Sequence, residues 1–283
     1  MKIVDLHTHS NYSDGTFSPM EIIKCANKSN ISALALTDHD TVNGVEEAIY
    51  YGNKYGVEVI SGVEISAMYD ENELHIVGLF LDIYDVEFNK KLEIARNKRD
   101  ERNFLMVEKL RENGIKIDYN NILKKSAGVI TRANIAREIV ECGYAKNNNE
   151  CFERFIGKGK FGYVKPDLIN VKEAINMINK NGGIAILAHP LIYKMSNKRL
   201  EMIVSEMAKD GLKGIEAYYS SYSQAEINYV KLIAGKNGLV ISGGSDFHGL
   251  NKPKISLGKG YGDLLVPYSV VEGLKKCYKN RRD

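Results

Sequence analysis

Apolar and polar positions follow two rhythms along the chain. Short apolar runs at 2–6, 31–40, 57–66, 73–82, 184–190, 214–220 and 239–248 read as buried strands. Most are separated by segments with apolar residues three and four apart, at 18–30, 44–56, 171–181, 197–209, 223–237 and 268–279. That spacing predicts amphipathic helices. Local signals agree: Ser18, Pro19 and Glu21 form a capping pattern, and Gly56 is placed as a C-terminal stop. Strands alternating with helices predict a parallel sheet with helical crossovers. Seven such units fit a closed or nearly closed (β/α) barrel; a doubly wound open sheet is the alternative.

The rhythm breaks between 85 and 165. Residues 85–113 predict one long charged helix, with Leu92, Ala95, Arg99, Leu105, Val107 and Leu110 in a partial helical period. Short helices without strands follow. No Gly/Ser linker sets this part off, so it reads as a helical insertion. The expected organisation is an α/β barrel formed by 1–84 and 166–283, with 85–165 covering its active end.

Composition adds limits. With 44% hydrophobic and 27% charged residues, a chain of 283 can bury a substantial core. No apolar run reaches the roughly 18 residues that span a bilayer. Asp5 and two histidines interrupt any signal-peptide pattern, so a cytoplasmic protein with no membrane contact is expected. The four cysteines form no CxxC pair and read as free thiols. The net charge of +3 does not announce nucleic-acid binding. Residues 85–165, however, carry 18 Lys/Arg against 12 Asp/Glu, which suits either an anionic partner or solvated helix faces. No obligate protein partner is evident.

The histidines change the picture most. His7, His9, His39, His75, His189 and His248 all fall at predicted strand ends or flanking loops, and none falls in a predicted helix. In (β/α) barrels the C-terminal strand ends meet at one mouth. Asp14, Glu64 and Asp246 hold equivalent positions. Singly, each has a plain reading: His75 as a core histidine, TDHD as a polar loop, SDFH as a turn. Their coincidence at one end of one architecture favours a metal site. Imidazole and carboxylate without cysteine suit zinc, manganese or iron(II). Nine candidate ligands exceed the needs of one ion, so two or three divalent ions are expected, with a carboxylate bridging two. The chemistry this best explains is hydrolysis.

DLHTHSNYSDGT, LTDHDT, GVEIS, the isolated His75, AHP and SDFHG, in that order, resemble the PHP (polymerase and histidinol phosphatase) family. The helical part, with TRANIAR and FIGKGKFGYV, is similar to the TrpH-like bacterial subgroup. Those enzymes hydrolyse nucleoside 3′,5′-bisphosphates and short 5′-phosphorylated RNA. The resemblance implies a distorted (β/α)7 barrel with a trinuclear site, in which a hydroxide between ions attacks phosphorus. Carried across, His7, His9, Glu64 and Asp246 bind one ion. Glu64 bridges to a second, held by His75 and His189, and Asp14, His39 and His248 bind a third. Arg132 then becomes a candidate bidentate clamp for a second substrate phosphate, and Lys160 a candidate point charge. Arg137 is a further candidate. Asp38 and Asp40 are candidates for orienting ligand histidines, and Tyr218 for stacking on a base or packing in the core. The expected substrate is a nucleotide bisphosphate or short RNA. The rivals are a histidinol-phosphate phosphatase and a non-catalytic, metal-stabilised nucleic-acid-binding module.

Overall fold

The computed structural model describes residues 2–280 except Ala127. Its first part runs β1 (Ile3–Thr8), α1 (Pro19–Lys28), β2 (Ile31–Leu36), α2 (Val45–Tyr55), β3 (Glu58–Tyr69) and β4 (Asn72–Leu79). A helical block follows: α3 (Val86–Glu112), α4 (Tyr119–Lys125), α5 (Arg132–Glu141), α6 (Asn148–Cys151) and a π-helical turn (Phe152–Ile156). Alternation then resumes with α7 (Val171–Lys180), β5 (Ile184–Leu187), α8 (Asn197–Lys209), β6 (Gly214–Tyr219), α9 (Gln224–Lys236), β7 (Val240–Gly244) and α10 (Ser269–Lys279). Local chemistry sets these boundaries. Ser18 and Glu21 cap α1 reciprocally, and Gly56 ends α2 in the left-handed conformation, with φ of 73°. Among the described residues no helix is long and apolar enough to cross a membrane.

The strands lie side by side in chain order, β1 to β7, and the ends approach to form a nearly closed barrel. Asp246 N–H donates to His7 O and His9 N–H to Phe247 O, both at 2.9 Å, and Val4 N–H donates to Val266 O at 2.9 Å. Gly244 permits this seam, because a Cβ there would lie 2.4 Å from His7 N. The expectation of an all-parallel sheet fails at one strand: β4 is antiparallel to both β3 and β5. Only Asp70 and Glu71 separate β3 from β4, too few for a crossover, and Asp70 takes φ of 51° to turn the hairpin.

Each face of the sheet buries its own apolar cluster. Alternate residues Ala33, Ala35, Val77, Leu79, Ile184 and Ile186 join Val271 and Leu274 of α10. The intervening residues Leu34, Leu36, Ile76 and Leu187 pack with Ile22, Ile175, Ile203 and Ile233 of the surrounding helices. The helical block has a third cluster, including Met106, Leu110, Ile135, Ile139 and Phe155. Helix α3 serves two of them: Phe88 and Leu92 belong to the barrel, while Met106, Val107 and Leu110 belong to the block. Its buried face therefore shifts along its length. Leu105, expected on that face, is about half exposed.

Candidate metal centre

The antiparallel turn of β4 explains how six histidines reach one place. His7 and His9 leave the end of β1, where a register shift between Asp5 and Thr8 marks a bulge. His39 follows β2, His189 follows β5, and Asp246 and His248 follow β7. His75 lies near the start of β4, opposite Ser66 of β3, and β4's reversed direction brings that end to the common mouth. Three residues here hold left-handed backbone: Asp40 at φ of 51°, His189 at 31° and Asp246 at 56°. Such conformations cost energy and persist where the surroundings impose them.

Glu64 is the hub. Its Oε2 lies 3.4 Å from His7 Nε2, 3.2 Å from His9 Nε2 and 3.2 Å from His39 Nδ1. Its Oε1 lies 2.8 Å from His75 Nδ1 and 3.0 Å from His189 Nε2. Asp246 Oδ1 is 3.5 Å from His9 Nε2 and 3.3 Å from His248 Nδ1. Asp14 faces His248 Nε2 at 3.1 Å and His39 Nε2 at 3.7 Å. All nine sequence-predicted ligands thus meet in one cluster. Four groups of donor atoms are compact enough for an ion: His9, Asp14, His39 and His248; His7, His9 and Asp246; His7, Glu64 and His189; His39, Glu64 and His75.

The donor set fits divalent cations. His7 Nε2, both His9 nitrogens, Asp14 Oδ1, His39 Nδ1, Glu64 Oε2 and His189 Nδ1 are buried without a hydrogen-bond partner. Buried polar atoms left unpaired are costly, and lone pairs converging on common points are what a cation satisfies. Burial opposes ionisation of the carboxylates, but the neighbouring imidazoles outweigh it. His75 and His7 hold Glu64, and His248 and His39 hold Asp14, well below the ordinary range. For Asp246 burial is outweighed chiefly by Lys252 and His248. Burial pushes His9 and His39 down, whereas for His7 the carboxylates of Glu216 and Glu64 outweigh burial, and for His75 Glu64 does so, pushing it up to about 10.

Glu216 supports this ring, and no sequence motif marked it. Its Oε1 lies 3.0 Å from His7 Nδ1, and its Oε2 accepts from His189 N–H at 2.8 Å. Tyr219 O–H and Lys252 Nζ both donate to Asp246 Oδ2 at 2.6 Å. Asp5 accepts from Ser245 N–H at 2.8 Å and Gly258 N–H at 2.7 Å, and burial pushes its carboxyl up to about 6. The hydrogen bonds of Asp38 and Asp40 run away from the histidines. Asp38 accepts from Ser10 N–H and from the Ser10 and Ser13 hydroxyls, tying down the loop after β1. Asp40 pairs with the buried Arg99. Both carboxylates answer nearer donors, so neither directly orients a ligand histidine.

Arginines from the helical block approach from one side. Arg132 Nη2 donates to Glu73 Oε2 at 2.7 Å, and Glu73 Oε1 lies 3.6 Å from His75 Nε2. Its neighbour Thr131 donates from Oγ1 to Asp14 Oδ2 at 3.0 Å. Arg102 was hidden from sequence reasoning inside a charged helix. It is buried, its guanidinium donates to the neutral Asn103 Oδ1, and burial, with Arg99 and Arg132 nearby, pushes its pKa down to about 9. A buried guanidinium without a carboxylate of its own is suited to an anion. Lys160 is exposed on a turn that closes on Gly157, and it does not line the cavity over the cluster. Tyr218 is engaged by Lys231, whose Nζ donates to its hydroxyl at 2.8 Å; Tyr219 lines the cavity instead. That cavity holds about 350 Å³ and reaches His75 on one side and His248, Asn251 and Lys252 on the other.

Comparison with known proteins places the chain in one family. The family model described as PHP domain matches residues 5–154. A 5′-3′ exoribonuclease, Rnm, of Escherichia coli is 34% identical over 98% of this chain and 94% of its own. A 3′,5′-nucleoside bisphosphate phosphatase of Chromobacterium violaceum is 33% identical, over 88% of each chain. A solved amidohydrolase structure from Chromobacterium violaceum, with bound sulfate and no metal, superposes with a TM-score of 0.87 and 30% identity. The alignment covers 98% of this chain and 96% of that one.

Proposed function

The chain belongs to the PHP family of metal-dependent phosphoesterases, and from that premise we propose that it hydrolyses the bond between phosphorus and the 3′ oxygen of 5′-phosphorylated nucleotides. On a nucleoside 3′,5′-bisphosphate this releases phosphate. On short 5′-phosphorylated RNA the same cleavage releases the terminal nucleotide and leaves a new 5′-phosphate on the remainder. In both, water's oxygen joins phosphorus, the 3′ oxygen leaves, and a proton ends on that oxygen. The observation that carries this reading is the buried ring of imidazoles and carboxylates, joined at His75 to Arg132 through Glu73.

In this reading His7, His9, Glu64 and Asp246 would hold one ion; Glu64, His75 and His189 a second; and Asp14, His39 and His248 a third. The two Glu64 oxygens face different imidazoles, so this carboxylate could serve both of the first two sets. When bound, such ions activate water at neutral pH and neutralise charge on phosphoryl oxygens. The chain's own residues supply the rest. Glu216 holds the His7 ring in place, and Thr131 does the same for Asp14. Arg132 and Arg102 receive the 5′-phosphate, with Arg132 exchanging Glu73 for it. Residues 85–165 act as an insertion that covers the mouth and excludes water.

The test is phosphate release from adenosine 3′,5′-bisphosphate with manganese and after chelation, on wild type and His9→Ala. Release should require both metal and His9. Arg132→Ala should raise KM for the bisphosphate at least tenfold and leave KM for a simple aryl phosphate nearly unchanged. Release from histidinol phosphate, with none from the bisphosphate, would overturn the reading.

A further inference from the structure

A second, larger groove opens from the metal cavity. It holds about 1000 Å³ against about 350 Å³ for the cavity, and the two share Asn148, Asn149, Asn251 and Lys252. One wall is the end of α5 and the start of α6; the other is the loop that follows His248.

The lining is chemically uneven. Arg137 and Lys254 line it with a single carboxylate, Glu141, while Lys252, at the junction with the cavity, is already held by Asp246. Glu141 is already held by Lys125 Nζ at 2.6 Å, which leaves Arg137 Nε 3.9 Å from it. Lys254 is exposed and has no ion pair or hydrogen bond among the described residues. Two large apolar side chains in the groove stay in solvent, Leu250 at 73% exposure and Tyr261 at 58%. Cations interleaved with exposed apolar and aromatic surface are the combination that holds single-stranded nucleic acid: phosphates on the charges, bases on the flat faces.

Direction follows from placement. Arg132 reaches the cluster through Glu73 and His75, whereas the groove meets it at His248, Asn251 and Lys252. The chain of imidazole contacts from His75 through His39 and His9 to His248 spans the distance between them. A nucleotide with its 5′-phosphate on Arg132 and its 3′ phosphorus at the cluster therefore points its continuation into the groove.

Resting on the nucleotide reading above, we propose that this groove seats the nucleotides on the 3′ side of the bond being hydrolysed. The enzyme then grips a single-stranded oligoribonucleotide over several residues, not its terminal nucleotide alone. Lys254 and Tyr261 lie outside the ligand ring and the arginine clamp, so their removal separates chain binding from chemistry.

The experiment compares wild type with Lys254→Ala, Tyr261→Ala and the double variant, manganese-loaded. The substrates are adenosine 3′,5′-bisphosphate and a 5′-phosphorylated octaribonucleotide. KM for the octamer should rise about tenfold in the double variant, with KM for the bisphosphate within about twofold of wild type. Octamer binding by fluorescence anisotropy should also lose salt dependence, the slope falling by about 0.7 for the lost lysine contact. An octamer KM unchanged by the variants, or raised equally for both substrates, overturns the groove. Should wild type hydrolyse neither substrate, the nucleotide reading fails, and anisotropy still decides the groove. Octamer binding weakened by the variants keeps it, and octamer binding no tighter than that of a dinucleotide removes it.

Discussion

Glu216 reaches into the ring from β6, and its contact with His7 Nδ1 leaves Nε2 facing Glu64 and Asp246. A carboxylate that fixes an imidazole in this way typically contributes 10–100-fold to metal affinity. Glu216→Gln should therefore weaken manganese binding by about that factor, read by calorimetric titration of chelated protein, while activity at saturating metal falls much less. Unchanged affinity would make Glu216 a packing residue. At this scale the candidate ligands were legible because histidine is scarce in the chain and its six copies fall within or just after strands. Glu216 and Arg102 were not. A glutamate within GIEAYY and an arginine within RDERNF carry no local signal, since their burial is decided by residues distant in sequence.

At the scale of elements, the strands and helices were read nearly to their ends, because capping residues and apolar periods are local. The direction of β4 was not. Periodicity reports which residues share a face and says nothing of which way a strand runs; the short gap between the runs at 57–66 and 73–82, too brief for a crossover, held that information. Helix α3 gave only a partial period because its two halves pack against different cores. The seam between β1 and β7 depends on close approach at Gly244. Gly244→Ala forces a Cβ against His7 N and should cost about 1–3 kcal/mol, seen as a lower thermal midpoint. A midpoint unchanged from wild type would show that the seam can relax.

For the whole molecule, the basic excess in 85–165 is in part structural. Arg99 neutralises Asp40, Lys125 bridges Glu138 and Glu141, and Arg111 and Arg154 pair along their own helices. Those pairs account for part of the excess, and only the fold sets Arg102, and Arg132 on Glu73, apart as candidate anion-binding groups. The metal centre joins residues from most of the strands, so an ion bound there stabilises the folded chain as a unit. At about a hundredfold excess over Kd, one ion adds about 2.7 kcal/mol, or roughly 4–5 °C for a chain of this size. Chelation should lower the thermal midpoint by that much, and manganese should restore it, in a melting experiment on one sample. A midpoint indifferent to both would deny the ring its ions.

The seam has a kinetic meaning as well. Asp5 and Ser245, which meet across it, are separated by 240 residues, so joining them closes one of the longest loops the chain forms. His7 and His9 lie on one lip of that loop, and Asp246 and His248 on the other. The hairpin of β3 and β4 and the helices can form from neighbours, but the site is absent until the ring shuts. During refolding, helix content therefore returns first and hydrolysis last, and the interval between them times the closing of the barrel.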